Sequence, residues 1–263
     1  MDTRGTETAA RVADVLLLFT DGPQTLGVSA IARTLGLSKT VVHRTLTSLT
    51  ERGLVSSDQR TREYHLGPTA AALGARALRD SELRRAALPA MRDLQKATGE
   101  TVTVSARVPH GRVYLDQVES TWEIKMTVEV GRRFPLHAGS SSTCILAFLG
   151  PTEIEALLSQ GLERLTSKTI TDADALRLRL SDVRREGVAH SDGERQEGAS
   201  SVAAPVFGVD GDVVGAISIC GPAPRFDAAT RTRDVPLLRV AADTISRQLG
   251  WRGGLPRQNG AHR

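Results

Sequence analysis

"LGVSAIARTLGLSKTVVHRTLTSLTERGLVSSDQRTREYHLG", residues 26 to 67, decides the fold of the first part of the chain. Ser29 is expected to cap a short helix that Gly36 ends, and Ser38 to open a second helix running toward Gly53. Two helices joined by a tight turn containing glycine are a helix-turn-helix signature. The residues after Gly53 read as strand, polar turn and strand, with Asp58 to Thr61 in the turn and Tyr64 and Leu66 packed inward, so a two-stranded wing follows. Upstream, Ala9, Val12, Leu16 and Phe19 recur at helical spacing until Gly22 and Pro23 stop the pattern.

In the second helix, Val42, Leu46 and Leu49 stand at i, i+4 and i+7 and face a core. At about 100° per residue, Thr40, Arg44 and Thr47 then point outward, with Val41 and His43 on the flanks. Ser38, Lys39, Thr40, Val41, His43, Arg44 and Thr47 are therefore the candidate DNA contacts of this helix. Arginine bonds guanine edges or phosphates, Thr and His bond either, and an exposed valine can touch a thymine methyl. Arg60 and Arg62 in the wing turn suit backbone or minor-groove contact. Although the whole chain carries a formal net charge of only +4, basic residues outnumber the acidic Glu51 and Asp58 between Lys39 and Arg62. Double-stranded DNA is the expected macromolecular partner.

Beyond Ser81, Leu83, Ala87, Met91 and Leu94 share one face of a long helix that Pro89 should kink and Gly99 should end, a natural connector between domains. "TVTVSARV" (101–108) alternates strictly, Pro109 to Gly111 turn, and "RVYLDQV" (112–118) returns as a second strand. Further strands are expected at 124–130, 202–208 and 213–220. Helices are expected near Ser141, after a capping box of Thr152 and Glu155, at 173–186 with Leu176, Leu180 and Val183 in register, and at 228–249. The predicted organisation is α+β: a winged helix-turn-helix over 1–70, linker helices over 71–98, a domain with a curved antiparallel sheet flanked by helices over 99–250, and a disordered Gly-rich basic tail over 251–263.

The second stretch with chemistry is "HAGSSSTCILAF", residues 137 to 148, in which hydroxyls precede an apolar run. They read as a nucleophile, an anion cradle or a helix cap. Catalysis needs a base fixed beside the nucleophile; there is no GxSxG elbow, and His137, His190, Asp192 and Glu194 follow no HExxH or other ligand spacing. The two cysteines, Cys144 and Cys220, form no CxxC, so neither a disulfide framework nor a metal site is read, and no cofactor motif is present. The apolar run Val15 to Phe19 is far short of the roughly 20 residues of a membrane span. The expectation is a cytoplasmic protein that is not an enzyme and has no membrane partner.

Residues 26–67, with "RAALPAMRDLQKATGETVTVSARV", "VGRRFPLHAGSSSTCILAFL", "TITDADALRLRLSDVRREGVAHSDGERQEGASSVAAPVF" and "GAISICGPAPRF" in the same order, resemble the IclR family of transcription regulators. The resemblance covers nearly all of the chain except the tail. It implies a GAF/PAS-like effector-binding domain, a homodimer or a dimer of dimers on an operator, and repression or activation of catabolic genes under control of small organic acids or aromatics. It also implies an effector pocket at Phe134, Ser140, Ser141, Ser191, Ala199, Ser201, Ser218 and Cys220. Ser142 and Thr143 stand where the family often has Gly-Lys, which implies a pocket richer in serine and poorer in fixed charge. The physical sense is independent of the likeness: free N–H groups at a helix start, joined by serine hydroxyls, hold a carboxylate without a buried cation.

Overall fold

Ser38 has extended backbone angles and its hydroxyl accepts from Val41 N at 3.3 Å, so the second helix of the first unit begins where a side chain satisfies a first-turn donor. The structure, a computed structural model, describes residues 4–253, and the chain divides between Asp80 and Ser81 into two units. The first contains α1 (Arg4–Asp21), α2 (Val28–Leu35), α3 (Lys39–Glu51), β1 (Val55–Ser57), β2 (Tyr64–Leu66) and α4 (Pro68–Asp80). Val15, Phe19, Ile31, Val42, Leu46, Leu49 and Val55 form its core. Each fully buried aliphatic side chain there contributes roughly 1.5–3 kcal/mol, which fixes the three-helix arrangement more firmly than helix propensity does.

Three sequence expectations change in this unit. Ser29 lies inside α2, whose N-cap is Gly27 with no side-chain bond. Ala9 is exposed, and the buried stripe of α1 is instead centred on Val15 and Phe19. Tyr64 packs against the core and pairs with Leu26, whereas Leu66, at the far end of the three-residue β2 and outside this core, is 42% exposed.

The second unit opens with α5 (Glu82–Thr98), capped by the Ser81 hydroxyl and closed by Gly99 in the left-handed region. Its face of Leu83, Ala87, Met91 and Leu94 is buried in this unit's own core, so residues 81–98 are structurally part of the second unit. There follow β3 (Thr101–Val108), β4 (Gly111–Val118), β5 (Arg133–Phe134), α6 (Ser140–Ala147), α7 (Pro151–Ser159), α8 (Ala173–Glu186), β6 (Ala189–Asp192), β7 (Ala199–Phe207), β8 (Val213–Pro222) and α9 (Ala228–Gln248). The strands form one antiparallel sheet in the order β5-β4-β3-β8-β7-β6.

Alternation along the central strands assigns the two faces. Val102, Val104, Val202, Ala204, Val206, Ile217 and Ile219 meet α5 and α9 on one side. On the other, Ala189, Ala203 and Ala216 meet Cys144, Ile145, Leu176 and Leu180 of α6 and α8. This second face also carries Thr103, Ser105, Ser201 and Ser218, so part of it is apolar core and part is buried polar surface.

Residues 124–130 form no strand, although Ile124, Met126, Val128 and Val130 alternate as one would. Met126 O accepts from the Thr101 hydroxyl at 2.7 Å, Val128 N donates to Gln117 Oε1 at 2.8 Å and Gly131 N donates to Tyr114 O at 2.9 Å. Side-chain bonds thus replace a strand ladder. The expected capping box is also absent: α7 starts from Gly150 with Pro151 in its first turn, and Glu155 is held by Arg177 at 2.6 Å. At the C-terminus, Trp251 lies 5.5 Å from Phe207, ring to ring, so the first residue of the expected disordered tail is part of the core; residues 254–263 lie outside the described residues.

Candidate functional site

On α3, Lys39, Thr40, His43, Arg44 and Thr47 are exposed together and, with Val28, line an open groove. Among the described residues no carboxylate pairs with Lys39 or Arg44. Their charges are therefore available to an external anion. Ser38 spends its acceptor on the helix cap, and Val41 is half-buried beside the groove rather than in its lining. In the wing, Asp58 Oδ1 accepts from Arg60 N at 2.7 Å and from Thr61 N at 3.3 Å, while Arg62 N donates to Asp58 O at 2.8 Å. These backbone bonds, that of Arg60 foremost, hold the exposed Asp58 carboxyl below its usual range. They also preset a tip from which Arg60 and Arg62 project into solvent.

In the second unit, Ser140, Ser141, Ser191, Ala199, Ser201, Ser218 and Cys220 border one cavity, together with Gly139, Arg112, Tyr114, Arg195 and the loop residues Met126, Thr127 and Val128. Its free volume is about 30 Å³. Phe134 does not border it. That ring stands behind it, edge-on to Tyr114 at 5.5 Å, with the guanidiniums of Arg112 and Arg195 over it at 5.1 and 4.9 Å. The hydroxyl cluster does not cap its helix: the N-cap of α6 is Gly139, at φ 88°, without a side-chain bond. Ser140 pairs with Ser201, Oγ to Oγ at 2.7 Å, and Ser218 with Thr103 at 2.7 Å.

Arg112 is the residue that sequence reasoning missed, and it overturns the expectation of a site without a buried cation. It is 1% exposed. Its Nε donates to Ser142 Oγ at 2.8 Å, one Nη to Ser105 Oγ at 2.9 Å and the other to Tyr114 Oη at 3.1 Å. A guanidinium has five N–H groups, so two remain. Among the described residues no carboxylate faces it, and burial pulls its pKa down from the usual arginine value. No signal in the sequence marked it: Arg112 shares strand parity with Tyr114 and opposes Arg107 across the register, as a solvent-facing arginine would.

The rival chemistries find no geometry. Ser140 Oγ meets another serine, not a base, and His137 Nε2 is 2.8 Å from Glu163 O. Asp192 is held by Lys168 at 3.0 Å and Ser200 at 3.0 Å, and Glu194 by Arg179 at 2.7 Å. Among the described residues no group of three His, Cys, Asp or Glu side chains is placed to hold a metal. Burial pushes the Cys220 thiol up to about 12 and raises that of Cys144 as well, which opposes thiolate chemistry. A larger groove of about 790 Å³ runs past Leu136, Leu149, Leu157 and Val213, but Arg107 on its wall is already bonded to Glu153 at 2.5 Å. No helix among the described residues is long and apolar enough to cross a membrane.

Comparison with known proteins places this geometry in context. Residues 8–59 match the model of the IclR helix-turn-helix domain and residues 75–247 that of the bacterial transcriptional regulator IclR C-terminal domain. The chain is 32% identical to the HTH-type transcriptional regulator BhcR of Paracoccus denitrificans over 100% of its own length and 92% of that protein. It is 34% identical to the glycerol operon regulatory protein of Streptomyces griseus over 94% of this chain and 98% of that one. Among solved structures, an IclR regulator from Silicibacter superposes with a TM-score of 0.84 at 29% identity, covering 95% of this chain and 99% of that one. An IclR homologue from Microbacterium hydrocarbonoxydans, solved in complex with 4-hydroxybenzoate, gives a TM-score of 0.70 at 29% identity, covering 92% and 98%. A DNA-binding helix-turn-helix followed by an effector-binding antiparallel sheet, matched in order along the chain, makes this protein a member of the IclR family of transcriptional regulators.

Proposed function

We propose that this regulator is a repressor of catabolic genes whose operator binding is controlled by a small organic acid held at Arg112. A homodimer, or a dimer of dimers, places two α3 helices and two wings on an inverted-repeat operator. Lys39, Thr40, His43, Arg44 and Thr47 enter the major groove, and Arg60 and Arg62 grip the backbone. The observation that carries the effector reading is the buried guanidinium of Arg112, which no carboxylate of the described chain neutralises. A buried charge is costly unless it is paired, and an anionic ligand supplies the pair. The free volume of about 30 Å³ is far below the roughly 300 Å³ of ordinary ligand pockets, so the effector is small and its entry moves a wall. The loop at Met126–Val128 is the wall best suited to move, because it is held by separate hydrogen bonds rather than by a strand ladder. The relative crystallised in complex with 4-hydroxybenzoate supports a carboxylic acid as the class of effector.

The test is footprinting of the full-length protein on DNA flanking its own gene, with and without a panel of organic acids. Release of a palindromic footprint by an acid, lost in Arg112→Met, is the expected result. A footprint strengthened by the acid would make the protein an activator or a co-repressed repressor. A footprint indifferent to every acid would remove the effector reading.

A further inference from the structure

Phe134 carries three guanidiniums over its ring, those of Arg112, Arg132 and Arg195. Arg132 has its own carboxylate, Glu129, at 3.6 Å. For Arg112 and Arg195 no carboxylate partner exists among the described residues. The nearby acids are already committed: Glu194 to Arg179 at 2.7 Å, Asp192 to Lys168 at 3.0 Å, and Glu100 to Arg225 at 2.5 Å. Glu194 Oε2 also accepts from Gly139 N at 3.4 Å and Asp192 Oδ1 from the Ser200 hydroxyl at 3.0 Å, both at the edge of the cavity, but each of the three carboxylates is balanced by its own cation. Arg195 is fixed there by packing, because its Cβ lies 3.4 Å from where a side chain on Gly139 would begin, so its stem crosses the start of α6. The cavity therefore has two cations on its wall, one buried and one half-exposed, that repel each other across the same ring.

We infer that the effector is a dianion with two separated carboxylates, one at the remaining N–H groups of Arg112 and the other at Arg195 near the first turn of α6. This rests on the reading of the cavity as the effector site and narrows it from organic acids to small dicarboxylates. A monocarboxylate matches one cation and leaves the other unmatched. A phosphate monoester concentrates both charges on one group, whereas a dicarboxylate offers one group to each guanidinium. Ser140 and Ser201, bonded to each other between these positions, supply neutral hydroxyls that orient the acid without changing the charge count.

Isothermal titration calorimetry on the full-length protein decides the matter. The titrants are dicarboxylates from malonate to adipate and phthalate, each beside its own monoamide, with methyl phosphate as the single-centre dianion. The expected result is one dicarboxylate binding at least about tenfold more tightly than its monoamide, a difference modest enough to allow for the partial exposure of Arg195. Arg195→Met should erase that preference while weak binding of both compounds persists, and Arg112→Met should abolish both. Equal affinity for acid and monoamide, or a preference that survives Arg195→Met, overturns the dianion while leaving the organic-acid reading intact. Tighter binding of methyl phosphate than of every dicarboxylate overturns the two-centre arrangement. If no acid binds, both readings fail together.

Discussion

Replacing Arg112 by methionine separates a residue kept for folding from one kept for a ligand. The substitution removes three hydrogen bonds from a charged donor, to Ser142, Ser105 and Tyr114, each worth about 1.5–3 kcal/mol. It also removes the cation–π contacts with Tyr114 at 4.3 Å and Phe134 at 5.1 Å. Against this, it relieves an ion that is 1% exposed and has no counter-charge, an effective penalty of several kcal/mol even after relaxation. Methionine fills much of the same channel and places sulfur between the two rings, recovering about 0.3–1.5 kcal/mol per contact. The sides are of similar size, so the ligand-free stability of Arg112→Met is expected within about 2 kcal/mol of wild type. Breaking a fully paired buried ion costs about 3–5 kcal/mol instead. Urea unfolding of the full-length protein measures the difference, with and without the bound acid. At a hundredfold excess over Kd, the acid should stabilise wild type by about 2.7 kcal/mol and the variant not at all. A loss above about 4 kcal/mol without ligand, or an undiminished gain with it, would show that Arg112 serves the fold and that the charge argument is wrong.

Gly139→Ala should weaken effector binding about tenfold or more, since φ 88° with ψ 155° strains any other residue by roughly 1–3 kcal/mol and the new methyl presses on Arg195. Calorimetry checks this, and unchanged affinity would refute it. Arg44→Ala should lower operator affinity by about 1–3 kcal/mol if it reads a base, or reduce the salt dependence by about one counterion if it holds a phosphate. Gel shifts across a salt series distinguish the two, and an unaltered series excludes both. His190 has its pKa lowered by burial first and then by the charges of Arg231, Arg179 and Arg239. Below its ordinary value of 6.5 the unfolded chain takes up a proton that the folded one resists, so stability falls as pH drops, and His190→Asn should flatten that fall. Parallel melting profiles of the two proteins between pH 7 and 5 would count against it.

Where local chemistry and tertiary packing agree, the sequence was sufficient. Ser38 with Val42, Leu46 and Leu49 located α3, and Ser81 with Leu83, Ala87, Met91 and Leu94 located α5, because a cap and a helical period speak for the same element. Errors gathered where two local devices compete. Gly27 rather than Ser29 starts α2, Pro151 displaces the box of Thr152 and Glu155, and the alternation from Ile124 to Val130 is tied down by Thr101 and Gln117 before it can join a sheet. Arg112 was illegible for another reason. A lone arginine in an alternating strand reads as solvent-facing, and only the folding of α6 across that face shows it to be buried.

The two tryptophans of the chain are Trp122 and Trp251, both in the second unit. Trp122 lies in the same loop as Met126–Val128, with the Arg225 guanidinium 5.8 Å from its ring, whereas Trp251 is lodged against Phe207 in the other core cluster. The natural emission of the protein is therefore silent about the helix-turn-helix. One of its two emitters sits on the segment proposed to shift when the cavity fills, and the other is an internal reference. Occupancy of the regulatory half is thus reported as a change in colour and intensity of a single indole, with no dye and no DNA.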